Sequence, residues 1–275
     1  ARWEYARQDT QALLEVTGPP LEPLRLNKRQ VCTDSPPPDT ALFLYTSGST
    51  GKPKAIMCGQ RQVEFASLVI AQCLGYEYDD VILCRLPLSF DYGLYQWLMA
   101  ARMGSTVVLQ GPGTDAVLLN SIRKHRITVV PLVPSLATLL VQLGSRGGSE
   151  DVRLLTNTGQ ELPRPTAAAL RKVFPRAKIQ LMCGTTECKR ITIAEPDHDI
   201  DVPGCVGAAI PGTHVSILSP EGKSLPPGEE GEIVVSGPHV MYGYWKDVEL
   251  TDAKFKKNAS GEIAFLHTGD FGWLD

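Results

Sequence analysis

Residues 45–54, with the sequence YTSGSTGKPK, carry the strongest chemical signal in the chain. Two glycines allow a tight backbone turn that presents N–H groups to a ligand. Hydroxyl side chains and two lysines add the donors and the positive charge that phosphate oxygens attract. The candidate phosphate-binding residues are Thr46, Ser47, Gly48, Ser49, Thr50, Gly51, Lys52 and Lys54. The stretch predicts a polyphosphate-binding loop, and the alternative is a plain Ser/Gly hairpin loop.

The spacing of this loop differs from that of a Walker A loop. Only two residues separate Gly48 from Gly51, and Pro53 follows Lys52. A Walker A loop has four residues between its glycines and a Ser or Thr after its lysine. The sequence therefore indicates a different class of phosphate-binding protein.

Four further stretches follow the loop along the chain. They are NTGQELP at 157–163, CGTTE at 183–187, GCVGAAIPG at 204–212 and TGD at 268–270. Together with the loop, they resemble the ordered motifs of the adenylate-forming enzymes, a superfamily of acyl-CoA synthetases, adenylation domains of nonribosomal peptide synthetases, and luciferases. The resemblance covers most of residues 41–275.

The resemblance implies a role for each stretch. Residues 157–163 would lie beside adenine, and Asp270 would accept hydrogen bonds from the two ribose hydroxyls. Thr186 would donate to the α-phosphate, and Glu187 would hold Mg²⁺, because hard cations prefer carboxylate and phosphate oxygens. The other nucleotide-binding candidates are Gly159, Gln160, Glu161, Cys183, Gly184 and Thr185. Taken alone, Thr186 could instead cap a helix and Asp270 could occupy a turn.

The implied reaction is the activation of a carboxylic acid with ATP and Mg²⁺. The carboxylate attacks the α-phosphorus and yields an acyl adenylate and pyrophosphate, with Thr186, Glu187 and Lys54 as catalytic groups. The protein aligns the reactants and neutralises phosphate charge, so no side chain needs to be a nucleophile. The expected acceptor is a thiol, either coenzyme A or the phosphopantetheine arm of an acyl or peptidyl carrier protein.

The candidate substrate pocket lies in LPLSFDYG at 86–93 and includes Phe90, Asp91 and Gly93. Many acyl-CoA and aryl-acid ligases of the superfamily have PLFHxxG here, and Phe90 occupies the place of that His. Amino-acid adenylation domains often have FDxS, in which the Asp binds the substrate ammonium. The dipeptide Phe90-Asp91 matches that pattern, but Tyr92-Gly93 does not continue it. Amino, aryl and fatty acids all stay open as substrates, and Asp91 could also be a solvated turn residue.

Two features raise further alternatives. Cys183 stands where the superfamily usually has an aromatic residue against adenine, so we expect weaker nucleotide binding or a stacking group from elsewhere. Lys189 and Arg190 follow Glu187 closely and could pair with phosphate or with a carboxylate. A non-catalytic descendant that binds nucleotide or docks a carrier protein is the competing hypothesis, although the retained charged residues of the motifs oppose it.

The elements that must position these residues alternate between strand and helix. The apolar run at 41–45 predicts a buried strand before the loop. Further strands are predicted at 81–86, 106–109, 128–133, 152–156 and 178–182, and helices at 63–74, 94–102, 115–125, 134–143 and 165–173. This rhythm predicts an α/β fold with a mostly parallel sheet flanked by helices. Short segments after residue 199, joined by Pro/Gly turns, predict a β-rich, distorted barrel-like subdomain.

The composition is that of an ordinary globular chain. Of its 275 residues, 43% are hydrophobic and 21% charged, and the net charge is −3. This balance argues against a nucleic-acid partner, and no apolar run is long enough to predict a membrane span. Seven cysteines without metal-like spacing, and the lack of a signal-peptide pattern, predict reduced thiols and a cytoplasmic location.

The predicted organisation has three parts. Residues 1–40 form a connector or the remnant of a preceding subdomain, 41–198 the α/β nucleotide-binding subdomain and 199–275 the β-rich subdomain. Superfamily members have a longer segment before the loop and a small C-terminal domain after the TGD motif. We therefore expect N- and C-terminal parts of the same enzyme as partners, and poor activity without them.

Overall fold

Strands and helices alternate through the middle of the chain and give way to strands near its end. The computed structural model describes residues 14–17, 25–28, 36–47, 53–111, 115–259, 261 and 263–275. The strands are β1 (Leu14–Thr17), β2 (Arg25–Lys28), β3 (Thr40–Ser47), β4 (Pro53–Gly59), β5 (Val81–Cys84), β6 (Thr106–Leu109), β7 (Val129–Leu132), β8 (Leu154–Asn157), β9 (Lys178–Cys183), β10 (Thr192–Ile193), β11 (Ala208–Ala209), β12 (His214–Leu218), β13 (Gly231–Ser236), β14 (Phe255–Lys257) and β15 (Ile263–Gly272). The α-helices are α1 (Gln60–Cys73), α2 (Asp91–Met103), α3 (Leu118–Lys124), α4 (Pro134–Leu143), α5 (Arg164–Val173), α6 (His198–Asp201) and α7 (Val248–Lys254).

A seven-stranded sheet with the order β11-β10-β9-β8-β7-β5-β6 forms the centre of the fold. Strands β5 to β9 are parallel to one another. Strands β10 and β11 extend one edge in the antiparallel sense. The sheet confirms the predicted α/β class and each of the five parallel strands expected from the sequence.

Neighbouring residues of the parallel strands pack into two different cores, because successive side chains in a strand point to opposite faces. Leu83 and Leu155 belong to the core that includes residues of α3, α4 and α5. Ile82 and Leu154 belong to the core that includes residues of α1 and α2. Helices therefore cover both faces of the sheet, which leaves its strand ends as the place where loops can build a site.

The hairpin of β3 and β4 is a separate two-stranded antiparallel sheet. The predicted strand at 41–45 is confirmed within β3, but β4 was not predicted, because its sequence PKAIMCG reads as a continuation of the loop. The other edge of β4 bonds to residues 242–245: Met57 N donates to the Gly243 carbonyl at 2.9 Å, and Trp245 N donates to the Ala55 carbonyl at 2.8 Å. These bonds bring two sequence-distant segments together.

A four-stranded antiparallel sheet, with the order β12-β13-β15-β14, follows the helical part of the chain. Glu232 pairs with Phe271 and Val234 pairs with His267, so three residues of β15 face the single residue Ile233. Those three residues are the TGD motif, which a bulge therefore displays. The sheet confirms the β-rich character of this part, whereas the boundary near residue 199 stays a prediction, since β11 belongs to the seven-stranded sheet.

Smaller features complete the fold. Strands β1 and β2 pair with each other within residues 1–40, where the sequence shows little periodicity. The described cysteines are all free thiols: Cys58, Cys84 and Cys188 are buried, and Cys73, Cys183 and Cys205 are partly exposed. Cys32 lies outside the described residues. None of the helices in the described ranges has the length and apolar character needed to cross a membrane.

Candidate active site

Two adjoining cavities lie beyond the carboxyl ends of the central parallel strands. The larger cavity has a volume of about 570 Å³ and the smaller one about 360 Å³. Both are lined by Gly159, which follows β8, and by Gly184, which follows β9. Ligands of open α/β sheets bind outside the carboxyl ends of the strands, where the loops that follow the strands form a crevice.

The larger cavity gathers residues from four of the five motif stretches. Its lining includes the predicted site residues Gly159, Gln160, Glu161, Cys183, Gly184 and Asp270. Gly204, from the stretch at 204–212, also lines it. Charged side chains that the sequence analysis did not select, Arg164 and Asp199, complete the wall. The cavity is wide and carries charge of both signs.

The bulge in β15 holds Asp270 at the edge of this cavity. Thr268 Oγ1 donates to the Ile233 carbonyl at 2.7 Å, and Gly269 N donates to Glu232 Oε1 at 3.0 Å. The Asp270 backbone N–H donates to Thr268 Oγ1 at 3.1 Å. The side chain of Asp270 is exposed, so its carboxylate can accept bonds from a ligand.

Cys183 lies at the end of β9, inside the larger cavity. Burial raises the pKa of its thiol, and the nearby charge of Asp270 raises it further. The thiol therefore stays protonated near neutral pH. Among the described residues that line the cavity, none is aromatic.

Residues 185–189 form a turn after β9, in which the Thr185 carbonyl accepts hydrogen bonds from the backbone N–H groups of Cys188 and Lys189. A Cβ atom on Gly184 would lie 2.0 Å from the Lys189 carbonyl oxygen, so only glycine fits this close approach. Lys189 is buried, and its Nζ donates a hydrogen bond to the Thr186 carbonyl at 2.5 Å. This bond stabilises the turn. No helix begins here, so the alternative in which Thr186 caps a helix is wrong. Thr185 and Thr186 line the smaller cavity.

Glu187 belongs to this turn and lines neither cavity. Its Oε1 accepts a hydrogen bond of 2.6 Å from the hydroxyl of Tyr244, and its carbonyl accepts one of 2.9 Å from Met241 N. Burial raises the pKa of Tyr244, and the charge of Glu187 raises it further, so the phenol remains a donor. The bonds between β4 and residues 242–245 bring Tyr244 to this position.

Lys54 belongs to the same cluster. It lies in β4, where it pairs with Thr46 across the hairpin, and its Nζ is 5.9 Å from the centroid of the Tyr244 ring. Residues 48–52, which include Gly48, Ser49, Thr50, Gly51 and Lys52, lie outside the described residues, as does the side chain of Ser47. The hairpin thus places Lys54 beside Tyr244, the residue that bonds to Glu187.

The smaller cavity contains all three predicted substrate-pocket residues, Phe90, Asp91 and Gly93. They lie at the start of α2, where a Cβ atom on Gly93 would come within 2.4 Å of the Pro87 carbonyl oxygen. The Asp91 side chain is only 15% exposed and approaches Arg190 Nη1 at 3.5 Å. Asp91 is therefore not a solvated turn residue, and Arg190 pairs with this carboxylate.

Arg190 and Tyr92 form the polar wall of the smaller cavity. The guanidinium carbon of Arg190 lies 4.7 Å from the centroid of the Tyr92 ring. The Tyr92 hydroxyl is 2.9 Å from the carbonyl and 2.7 Å from Oγ1 of Thr156. Burial raises the pKa of Tyr92 to about 12, so its ring is a neutral surface for the cation.

The family model described as "AMP-binding enzyme" matches residues 4–245. The chain belongs to the AMP-binding enzyme family. This match spans the hairpin, every residue that lines the smaller cavity and the segment that carries Tyr244, but not Asp270 of the larger cavity.

Relatives of this AMP-binding chain include ligases and solved structures. 4-Coumarate–CoA ligase 3 of Oryza sativa subsp. japonica is 31% identical over 258 residues, which cover 88% of this chain and 45% of the relative. The crystal structure of VinN is 41% identical with a TM-score of 0.80, and the match covers 90% of this chain and 61% of that one. The structure of O-succinylbenzoate coenzyme A synthetase of Bacillus subtilis, in complex with ATP and magnesium, is 30% identical with a TM-score of 0.75. That match covers 86% of this chain and 48% of the synthetase chain. The chain spans about half the length of the curated relatives it matches.

One functional candidate of this family member, Tyr244, was not predicted from the sequence, and Arg190 was named without its partner. Tyr244 has no motif of its own, and only its bond to Glu187 distinguishes it from other buried tyrosines. Arg190 was considered, but its partner could not be identified, because Asp91 is 99 positions away. The sequence signal for Arg190 was its position close after Glu187, the carboxylate of the CGTTE motif.

Proposed function

We propose that this chain carries the acid-activating site of an ATP-dependent, AMP-forming acid–thiol ligase. The observation that carries the proposal is the larger cavity, which gathers residues from four separate motif stretches and adjoins a second cavity across Gly159 and Gly184. One cavity would hold the nucleotide, and the other would hold the acid. The shared glycines allow the two ligands to approach each other.

The nucleotide would occupy the larger cavity. Residues 159–161 would flank adenine, Asp270 would accept hydrogen bonds from the ribose hydroxyls, and residues 46–52 would bind the β- and γ-phosphates. The exposed carboxylate of Asp270 suits this role, because an ionised carboxylate only accepts hydrogen bonds. Thr186 would donate to the α-phosphate from the turn between the cavities.

The residues present fit a magnesium ion bound together with phosphate. Within the described parts of the chain, no group of three or more His, Cys, Asp or Glu side chains is placed to hold a metal ion. Mg²⁺ commonly takes one or two carboxylates and completes its shell with substrate phosphates and water. Glu187 would be the carboxylate, with Tyr244 fixing its orientation. When bound, Mg²⁺ would neutralise the negative charge of the phosphates.

The chemical step needs alignment and charge neutralisation. A carboxylate oxygen of the acid attacks the α-phosphorus, the bond from that phosphorus to the bridging oxygen breaks, and pyrophosphate leaves with the electron pair. Thr186 and Lys54 would stabilise the negative charge that grows on the phosphate oxygens. The cavity walls would hold the two reactants in line.

The second step would pass the acyl group to a thiol. The relative from rice and the one from Bacillus subtilis are named as CoA ligases, which supports coenzyme A as the acceptor. A carrier-protein phosphopantetheine arm offers the same thiol chemistry, so both acceptors belong to the test below.

An amino acid is the acid class favoured by a specific observation. VinN, at 41% and 37% identity in two structures, is described in complex with L-aspartate and with 3-methylaspartate. The Phe90-Asp91 dipeptide and the low exposure of Asp91 agree with recognition of a substrate ammonium.

Acid-dependent exchange of labelled pyrophosphate into ATP tests the proposal. We would measure it on the full natural polypeptide with amino, aryl and fatty acids, and then add coenzyme A or a phosphopantetheinylated carrier protein. We expect exchange with at least one acid class and thioester formation with one thiol. Nucleotide binding without exchange for any acid would overturn the proposal in favour of a non-catalytic descendant.

A further inference from the structure

The carboxylate of Glu232 bonds to two residues of β15. Its Oε1 accepts a hydrogen bond of 3.0 Å from the Gly269 backbone N–H, and its Oε2 lies 2.8 Å from Nδ1 of His267. A carboxylate only accepts hydrogen bonds, so His267 Nδ1 carries the hydrogen of the second bond. The ring of Phe265 packs edge-on against that of His267, with 5.6 Å between the centroids. These contacts leave the carboxylate of Glu232 with one favoured orientation.

Glu232 spans the bulge that displays residues 268–270. Its backbone pairs with Phe271, directly after these residues, and its side chain bonds to His267, directly before them. The bond to Gly269 reaches the centre of the bulge, where φ is +81°. Glycine adopts this left-handed conformation readily, but it can adopt many others as well. The Glu232 side chain therefore restrains the most adaptable residue of the bulge.

Asp270 benefits from this restraint, because it follows Gly269 directly. Its carboxylate is exposed at the edge of the larger cavity. A flexible group loses conformational entropy when a ligand orders it, and this loss weakens binding. A backbone that is already ordered reduces the loss, so contacts behind a binding group strengthen its interaction with a ligand.

We propose that Glu232 and His267 are positioning residues for the nucleotide, which hold the bulge so that the Asp270 carboxylate meets the ribose hydroxyls. The inference rests on the proposed function, which assigns Asp270 to the ribose, and adds two residues to it. Neither Glu232 nor His267 lines either of the two cavities. Each therefore acts through the bulge and not by contact with the nucleotide.

A purely structural role is the opposing possibility. Glu232 and His267 join neighbouring strands, and their side chains are 26% and 23% exposed. Ion pairs with this much access to water contribute little to the free energy of unfolding. A structural role would also weaken the binding of every nucleotide alike, whereas the positioning role affects only nucleotides that have ribose hydroxyls. A comparison of nucleotides therefore separates the two roles.

Nucleotides with and without ribose hydroxyls provide the test. Pyrophosphate exchange on the full natural polypeptide is measured with ATP and with 2′,3′-dideoxy-ATP. For the unaltered protein, we expect KM for the dideoxy nucleotide to exceed KM for ATP by about 30-fold. Glu232→Ala should raise KM for ATP by about 10-fold and leave the maximal rate, and KM for the dideoxy nucleotide, within about 2-fold. An equal rise for both nucleotides, or no rise for ATP, would overturn the inference.

Conservative variants test the two bonds separately. Glu232→Gln keeps an acceptor oxygen for the Gly269 N–H, and His267→Asn keeps a donor for Glu232, so each should raise KM for ATP by no more than about 3-fold. His267→Ala removes the donor and should raise KM for ATP by about 10-fold. Glu230→Ala and His214→Ala change exposed residues and serve as controls. A rise in His267→Asn as large as that in His267→Ala would contradict the part assigned to His267.

A double variant tests whether Glu232 acts through Asp270. In the Asp270→Ala protein, Glu232→Ala should raise KM for ATP no further, because the group that it positions is gone. Additive effects of the two substitutions would overturn the inference.

Calorimetry separates this inference from the proposed function and from misfolding. Titration with ATP and with 2′,3′-dideoxy-ATP gives the same comparison as Kd values, even if no acid supports exchange. Thermal unfolding checks that each variant folds. If Glu232→Ala does not fold, the comparison of His267→Asn with His267→Ala carries the test. Equal Kd values of the unaltered protein for the two nucleotides would overturn the inference.

Discussion

The two cavities differ in the solvent exposure of Asp270 on one side and of Asp91 and Arg190 on the other. In the larger cavity, the carboxylate of Asp270 is exposed on a bulge and can act independently of its neighbours. In the smaller cavity, Arg190 is buried and Asp91 is largely buried, and the two opposite charges lie close together. Exposed charged groups contribute to the free energy of ligand binding independently of one another. A buried ion pair disfavours any ligand that leaves one of its charges without a partner of opposite charge. We therefore expect changes in the nucleotide half to affect all acids alike, and changes in the acid half to reorder them.

The largest expected effect comes from Glu187→Gln. Loss of the carboxylate proposed to hold Mg²⁺ should lower pyrophosphate exchange by about 100-fold or more with every acid, because in the proposed arrangement this group acts on the phosphates through Mg²⁺ and does not contact the acid. Exchange measured at saturating concentrations of each acid checks the prediction. Glu249→Gln changes an exposed carboxylate on α7 and serves as the control. A loss confined to one acid would break the division between the cavities.

Asp270→Ala tests the larger cavity directly. Removal of an acceptor for the ribose hydroxyls should raise KM for ATP by about 10- to 100-fold, since hydrogen bonds to charged groups are the stronger ones. KM for the acid should stay constant. Initial rates over a range of ATP concentrations provide the measurement, with the exposed Asp252→Ala as the control. An unchanged KM for ATP would show that the ribose is bound elsewhere.

Tyr244→Phe tests the support of Glu187. The hydroxyl bonds to Glu187 at 2.6 Å, so its loss should leave the carboxylate less well oriented and raise the Mg²⁺ concentration for half-maximal exchange by about 10-fold. The effect is a shift in metal dependence that a merely structural role would not produce. Tyr78→Phe, at a highly exposed tyrosine, is the control. A lower exchange rate with an unchanged Mg²⁺ dependence would show that Tyr244 stabilises the fold and does not orient Glu187.

Cys183→Tyr should have the smallest effect and the opposite sign. The described residues leave the larger cavity without an aromatic wall, and a ring at this position could stack on adenine. We expect KM for ATP to fall by about 3- to 10-fold, in line with the free energy of aromatic contacts. Cys183→Ser provides a control of nearly the parent size. A weaker affinity for ATP in the tyrosine variant would indicate that the thiol side of the cavity has no space for a ring.

Much of the fold followed from local patterns. The five parallel strands were predictable because each is a short apolar run between turn signals. Strand β4 was not predictable in this way, because its residues directly follow a Pro/Gly-rich loop and its hydrogen-bond partners include the distant residues 242–245. The pairing of β1 with β2 was missed because neither strand has a clear hydrophobic period.

The candidate site divides in a similar way. Gly159, Cys183 and Asp270 belong to contiguous motifs, so their residue types and order predicted a common site, and the structure places all three at the larger cavity. Tyr244 belongs to no such motif, and its importance depends on a single contact with Glu187. The assigned roles of these residues stay predictions until the measurements above are made.

The sequence by itself determined the α/β class and the set of candidate residues for phosphate and nucleotide binding. These depend on glycines, hydroxyls and carboxylates within short stretches, whose backbone conformations and donor chemistry are local. Only the tertiary structure decided that Asp91 meets Arg190, that Tyr244 meets Glu187 and that two cavities share one wall of glycines. The physical reason is that pairing of buried groups depends on packing between elements distant in the chain, and no short segment contains that information.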